Sequence, residues 1–102
     1  MSDSGAANNV GHQNGLAVST TAVTLTVPAR ARRMIVYVRN NPCRWRADGT
    51  NPTATTGMYV GANTYLEFME PEESFEDLIR RFAIIRDATA GGDATLEVAY
   101  FD

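Results

Sequence analysis

The sequence predicts an all-β chain: a single β-sandwich or jelly-roll-like domain of about seven or eight short strands, preceded by an extended N-terminal arm. Three observations carry that prediction. Apolar residues alternate with polar ones over short stretches, as in Val23, Leu25 and Val27 against Thr24 and Thr26, and in Leu96, Val98 and Tyr100 against Glu97 and Ala99. A period of two is the mark of a strand with one buried face. The stretches are divided by Gly, Pro, Asn and Asp, which set turns. At 102 residues with 44% hydrophobic content, the chain can build one core and is too short for two ordinary ones.

Residues 1–16 are small and polar, rich in Gly and Asn, with almost nothing to bury, which predicts an arm rather than a packed element. Fully extended, it would span roughly 50 Å at about 3.3 Å per residue, enough to cross onto a neighbouring subunit. The plain alternative is a tail of the kind common at domain ends. The packed domain then covers residues 17–102.

From Ala17 the texture changes to Thr, Val and Leu, giving a first strand that Pro28 ends. An Arg-rich turn leads into MIVYVRN, starting at Met34, which is apolar on both faces near its middle and so belongs in the centre of a sheet. A third, short strand sets Cys43, Trp45 and Ala47 on one face and Arg44 and Arg46 on the other, and Asp48, Gly49 and Thr50 turn the chain. The segment NPTATTG, residues 51–57, forms a rim loop in which Gly57 takes a positive φ before MYV resumes a strand. After the turn at Gly61, Ala62 and Asn63, YLEFM reads as half-buried, with Leu66 and Phe68 separated by Glu67. Beyond it the signals conflict. Ser74 with Asp77 has the form of a capping box and Phe75, Leu78, Ile79 and Phe82 follow helical spacing, whereas RFAIIRDA, with Ile84 and Ile85, favours a strand. The expectation is one helical turn over residues 74–78 leading into a strand over residues 81–88. Gly91 and Gly92 mark a hairpin, and ATLEVAYF is the last strand. Such a sandwich leaves open edges that have to be blunted or paired, which suits a protein that works inside an assembly.

All nine positive residues are Arg, against 12 acids, for a net charge of −3. That balance argues against a surface built to neutralise phosphates, so nucleic acid is not an expected partner. The charges are also segregated. Arg30, Arg32, Arg33, Arg39, Arg44 and Arg46 come with no acid among them, and Glu67, Glu70, Glu72, Glu73, Glu76 and Asp77 follow with no base. The two blocks can meet within one subunit, where exposed pairs are worth about 0–1 kcal/mol each, or face each other across a subunit boundary, where they fix orientation more than affinity. The candidate contact residues are accordingly Arg30, Arg32, Arg33, Arg44 and Arg46, with Glu70, Glu72 and Glu73 opposite in sign, and Asn51 and Thr53 on the rim loop.

The apolar runs are far below the roughly 18–20 residues of a membrane span, so no membrane partner is expected. The N-terminus has neither the basic start nor the apolar stretch of a secretory signal, which predicts a protein that stays in the cytoplasm where it is made. Cys43 has no second cysteine to pair with and sits among strand residues, where a thiol packs as a small hydrophobe. His12 is the one histidine and lies in the arm, far from Cys43 and from the acids, so neither a nucleophile–base pair nor a metal site is expected and no cofactor is called for. The cluster Glu70, Glu72, Glu73 and Glu76 offers two carboxylates for glycoside hydrolysis, but neighbouring acids on a polar turn are ordinarily a solvated surface. Trp45 between Arg44 and Arg46 is a candidate aromatic platform for a sugar or a base. Its register with Cys43 favours the core instead. Asn51, Pro52 and Thr53 fail as a glycosylation site because Pro fills the middle position.

One set of residues resembles a known group. RWRADGTNPTATTG, residues 44–57, then MYV, LEF, RFAIIRDATAG and a closing LEVAYFD, resemble short virion proteins of tailed bacteriophages. Those carry an Arg-aromatic-Arg strand, an Asp-Gly turn, a Pro-Thr-Ala-Thr-Thr-Gly loop and an Ile-Arg-Ala-Thr strand before a Tyr-Phe C-terminus. The likeness covers residues 18–102, and Asp87 departs from it by interrupting the Ile-Arg-Ala-Thr run. The resemblance implies a β-sandwich subunit of a phage particle assembled in the bacterial cytoplasm. It suggests a head decoration or cement protein, bound as an oligomer, a trimer by preference, to the major capsid protein or another virion subunit. A neck, tail or fibre location shares these features, and a receptor- or carbohydrate-binding module built on Trp45 and the Thr-rich loop is the competing reading. An enzyme ranks last.

Overall fold

The computed structural model describes residues 8–69 and 79–102. They form eight strands: β1 (Asn9–Val18), β2 (Val23–Thr24), β3 (Arg33–Arg39), β4 (Cys43–Arg46), β5 (Met58–Val60), β6 (Thr64–Met69), β7 (Ala83–Arg86) and β8 (Ala94–Phe101). Among the described residues there is no helix. The helical turn expected over residues 74–78 lies outside them.

The strands make two antiparallel four-stranded sheets, ordered β1-β8-β3-β6 and β2-β7-β4-β5. The pairing is nested: β1 with β8, β2 with β7, β3 with β6 and β4 with β5. Two further pairings, β3 with β8 and β4 with β7, close each sheet. The chain therefore crosses between sheets at every connection except the one from β4 to β5.

Strict alternation explains why these segments pair as they do. In β3, Met34, Val36 and Val38 are fully buried while Arg33, Ile35, Tyr37 and Arg39 turn outward. In β8 the buried set is Ala94, Leu96, Val98 and Tyr100. Facing them from the second sheet are Cys43, Val60 and Ile84, with Val23 at its margin, so the two sheets share one core, as in a β-sandwich. Trp45, Phe68 and Phe82 join the layers at one end, Trp45 meeting Phe68 edge-on at 4.9 Å and lying nearly parallel to Phe82 at 5.8 Å. As expected of its composition, β3 is central, between β8 and β6.

The largest departure from the sequence reading is at the N-terminus. Residues 9–16, read as part of an arm, belong to β1 and pair with β8 from Asn9↔Phe101 to Val18↔Ala94. The physical reason is that an edge strand needs one buried face only, and β1 builds it with an interrupted rhythm. Gly11 and Gln13 lie opposite the inward Tyr100 and Val98. The register then slips at Gly15, φ 68°, and Leu16 and Val18 continue the same face opposite Leu96 and Ala94. Gln13 adds a polar anchor: its side-chain oxygen accepts from the buried Tyr100 hydroxyl and from the Thr26 backbone N–H at 2.9 Å. That second bond explains a further difference. The strand expected from residue 17 to Pro28 pairs with β7 only at Val23 and Thr24, because the backbone then turns toward β1, while Leu25 and Val27 still pack on the core. The strand expected over residues 81–88 is likewise trimmed to Ala83–Arg86. Arg80 secures the Arg-rich turn, donating to the carbonyls of Pro28 at 2.7 Å and Ala29 at 2.9 Å.

Candidate interaction surface

Each sheet has two open edges among the described residues, and the four differ in kind. β1 carries two register irregularities, at Asn9/Gly11 and Asn14/Leu16, and bulges of this sort disrupt pairing with a newcomer. β2 is two residues long and β5 three, too short to template a partner strand. β6 is different: six residues in unbroken register with β3, from Arg33↔Met69 to Val38↔Thr64.

The exposed large hydrophobics lie on this strand and on the one before it, in the edge strands of the two sheets. Met58 and Tyr59 on β5 and Tyr65 and Met69 on β6 are 60%, 55%, 69% and 62% exposed, and they are the large hydrophobics left in solvent among the described residues. β5 and β6 are joined by the turn at residues 61–63, in which Asn63 has φ 60° and donates its N–H to the Val38 carbonyl at 2.6 Å. Two consecutive strands thus bear two Met and two Tyr.

The basic block is largely committed within the chain. Arg30 pairs with Asp102, Arg33 with Glu67 at 2.7 Å, Arg39 with Glu97 at 2.8 Å, Arg44 with Asp87 at 2.7 Å and Arg46 with Asp48. The Arg32 backbone N–H donates to the Phe101 carbonyl at 2.8 Å. Apart from Glu67, the acids in these pairs come from outside the acidic block. Glu70, Glu72 and Glu73 lie outside the described residues.

Arg44 and Asp87 form the anchor of the rim loop. Asp87 is only 3% exposed. Its carboxylate accepts from the Thr89 hydroxyl, from the Thr89 N–H at 2.9 Å and from Arg44 Nε at 2.7 Å. Those bonds, the Thr89 pair first and Arg44 next, hold its pKa down at about 2. Arg44 also donates to the Gly57 carbonyl at 3.1 Å, and the Ala88 N–H reaches the Ala54 carbonyl at 3.0 Å. Gly57 has the expected positive φ, 119°, and a Cβ there would lie 3.1 Å from both Pro52 Cβ and the Trp45 carbonyl. The Thr53 hydroxyl is spent inside the loop on Thr56 Oγ1 at 2.6 Å, whereas Asn51 is exposed.

Cys43 is fully buried, and burial, helped by the nearby Asp87 charge, pushes its thiol up to about 11. It faces the core from the second sheet, while His12 lies opposite Ala99 on the outer side of the first. Among the described residues no three His, Cys, Asp or Glu gather as a metal site would require, and no helix is long and apolar enough to cross a membrane.

Two shallow depressions lie among the described residues. One, about 320 Å³, is bordered by Trp45, Arg46, Asp48, Gly57 and Met58. Trp45 borders it while stacking on Phe82 and meeting Phe68 edge-on, half-buried against the core as its register with Cys43 suggests. The other, about 270 Å³, lies on the outer face of the first sheet beside Tyr37 and Tyr65, whose rings are 4.4 Å apart. The sequence reading missed this aromatic pair. Both tyrosines occupy the outward phase of their strands, but only the Tyr37↔Tyr65 register brings them together. Compared with family models, with curated proteins and with solved structures, the chain matches none.

Proposed function

We propose that this protein is a structural, non-catalytic subunit of a tailed-bacteriophage particle, a head decoration protein with a jelly-roll fold that binds the major capsid protein or a neighbouring virion subunit as an oligomer. The observation that carries the reading is the β6 edge: among the described residues a regular open strand bearing exposed Tyr65 and Met69, joined by a short turn to β5 with exposed Met58 and Tyr59. An unprotected edge strand flanked by Met and Tyr is a liability for a protein that stays alone in solution, and an asset for one that is covered on assembly. Strand addition supplies backbone hydrogen bonds for affinity, and alternate side chains supply selectivity.

The strand order supports the jelly roll. A long antiparallel hairpin pairing β1 with β8, β2 with β7, β3 with β6 and β4 with β5, rolled so that alternate strands fall in opposite sheets, gives the two orders seen here. That architecture serves in viral capsid and lectin domains. The phage assignment itself rests on the resemblance of residues 44–57 and of the β7 and β8 sequences.

The test is to purify particles produced from the genome that encodes the chain and identify their proteins by mass spectrometry, then repeat with Met58→Lys/Met69→Lys. The expected outcome is a particle-bound protein whose copy number per head falls in the double variant. Absence of the wild-type protein from purified particles defeats the proposal.

A further inference from the structure

The depression beside Tyr37 and Tyr65 is more than an apolar patch. Strand register sets four outward rows across the first sheet, and two of them frame it: His12, Ala99, Ile35 and Glu67 in one, Asn14, Glu97, Tyr37 and Tyr65 in the next. Ala99, the small residue of β8, forms the low floor. Tyr37, Tyr65 and Ile35 rise on one side, His12 and Asn14 on the other, with Glu97 between. We infer that this trough on the outer face of the β1-β8-β3-β6 sheet is a binding subsite for a neutral saccharide, in which the tyrosine pair takes the C–H face of a pyranose ring and the β1 wall takes its hydroxyls.

The chemistry of the two walls selects this class. The side chains of His12 and Asn14, and the hydroxyls of Tyr37 and Tyr65, have no hydrogen-bond partner within the described protein, so the trough offers donors and acceptors beside aromatic surface. Glu97 contributes a fixed acceptor, oriented by Arg39 Nη1 at 2.8 Å and by the Gly15 N–H at 3.3 Å. Charge argues against an anion. The cations of this face, Arg33 and Arg39, are already paired with Glu67 and Glu97, which leaves no net positive field to hold a phosphate. A molecule that is apolar on its ring faces and hydroxylated on its rim fits both walls, whereas a purely apolar partner would leave the His12 and Asn14 groups desolvated and unpaired, at a cost. The volume, about 270 Å³, sits just below the roughly 300–1,000 Å³ of drug-sized small-molecule sites, as one or two rings would require.

The experiment is an NMR titration of the intact chain with neutral hexasaccharides of glucose, xylose, mannose and N-acetylglucosamine, run beside a single-stranded oligonucleotide. Expected is saturable movement of the amides of His12, Asn14, Tyr37, Tyr65 and Ala99 with at least one sugar and none with the oligonucleotide. Tyr65→Ala, at a residue that is 69% exposed and so not needed for the core, weakens that binding by about tenfold, the worth of one aromatic contact. Asn14→Ala weakens it too, while Thr55→Ala, exposed in the rim loop between β4 and β5, leaves it unchanged. No saturable shift with any of the four sugars, a response to the oligonucleotide instead, or sugar binding that survives both Tyr65→Ala and Asn14→Ala overturns the inference. None of those outcomes bears on whether the chain is found in purified particles.

Discussion

β1 and β6 occupy the two ends of one sheet, and they solve the edge problem in opposite ways. β1 is sealed by irregularity: an extra residue at each of two positions, a glycine at φ 68°, and a buried Tyr100 hydroxyl tied to Gln13. β6 is regular, continuous and flanked by exposed Tyr65 and Met69. The difference teaches where the chain has spent its structural resources. At β1 the side chains and bulges close the domain on itself. At β6, among the described residues, the outer edge is left without a strand, and the proposed function would put recognition at that end of the sheet.

The strongest way to break that contrast is Tyr100→Ala. The ring is fully buried in β8 under β1, and truncating a buried aromatic costs about 3–5 kcal/mol. Gln13 also loses its donor, so β1 should open before the rest of the sheet. Chemical denaturation should show the loss, and native-state hydrogen exchange should show it first at β1 amides, with the β3–β6 amides retaining protection longer. Equal loss of protection at both ends would mean that the two edges are not separate in the way drawn above.

Acid sharpens the contrast from the other sheet, where Asp87 fastens the rim loop through Arg44 and Thr89. Its folded pKa, about 2, lies below the ordinary carboxylate value of about 3.9. The folded state therefore binds that proton less readily than the unfolded one, and the stabilisation is complete above about pH 4 and lost as pH falls toward 2. Asp48, held at about 2 by Arg46 and the Thr50 N–H, acts in the same direction at the surface. Denaturation midpoints of the wild type should drop through this window, and Asp87→Asn should be less stable at neutral pH with a shallower acid dependence. An unchanged slope in Asp87→Asn would assign the acid sensitivity to other groups.

Much of the framework was legible in the chain. β4 and β8 alternate without interruption, β3 showed its central place by being apolar on both faces, Gly57 announced its positive φ from its place before MYV, and Cys43 and Trp45 shared a phase that predicted the core. β1 was not legible, for a definable reason: the slip at Gly15 resets the period of two, so Gly11 and Gln13 share a face with Leu16 and Val18 while being out of step with them along the chain. A local pattern search sees polar noise. The basic block was visible as composition, but its partners Asp87, Glu97 and Asp102 lie 43, 58 and 72 residues from the arginines they meet, a separation no spacing rule spans. The Tyr37–Tyr65 pair and the edge position of β6 among the described strands were hidden likewise, because both are consequences of pairing order. Sequence periodicity reports which face a residue takes; it does not report which strand lies beside it.

The two ends of the sheet can be compared most directly by matched substitutions. Gly15→Ala places a side chain at φ 68°, where nothing lies within 4 Å of the new Cβ; the penalty is therefore backbone strain alone, about 1–2 kcal/mol. Met69→Lys adds a longer, charged side chain at a position that is 62% exposed, where surface substitutions stay within about 0.5 kcal/mol. The pair should separate cleanly: Gly15→Ala lowers the denaturation midpoint and leaves attachment to a partner intact, while Met69→Lys leaves the midpoint in place and weakens attachment by charging the open edge. If Met69→Lys destabilised the isolated chain as much as Gly15→Ala, β6 would be bearing load within the domain. An edge already needed for the fold is not free to serve as a template for a neighbour.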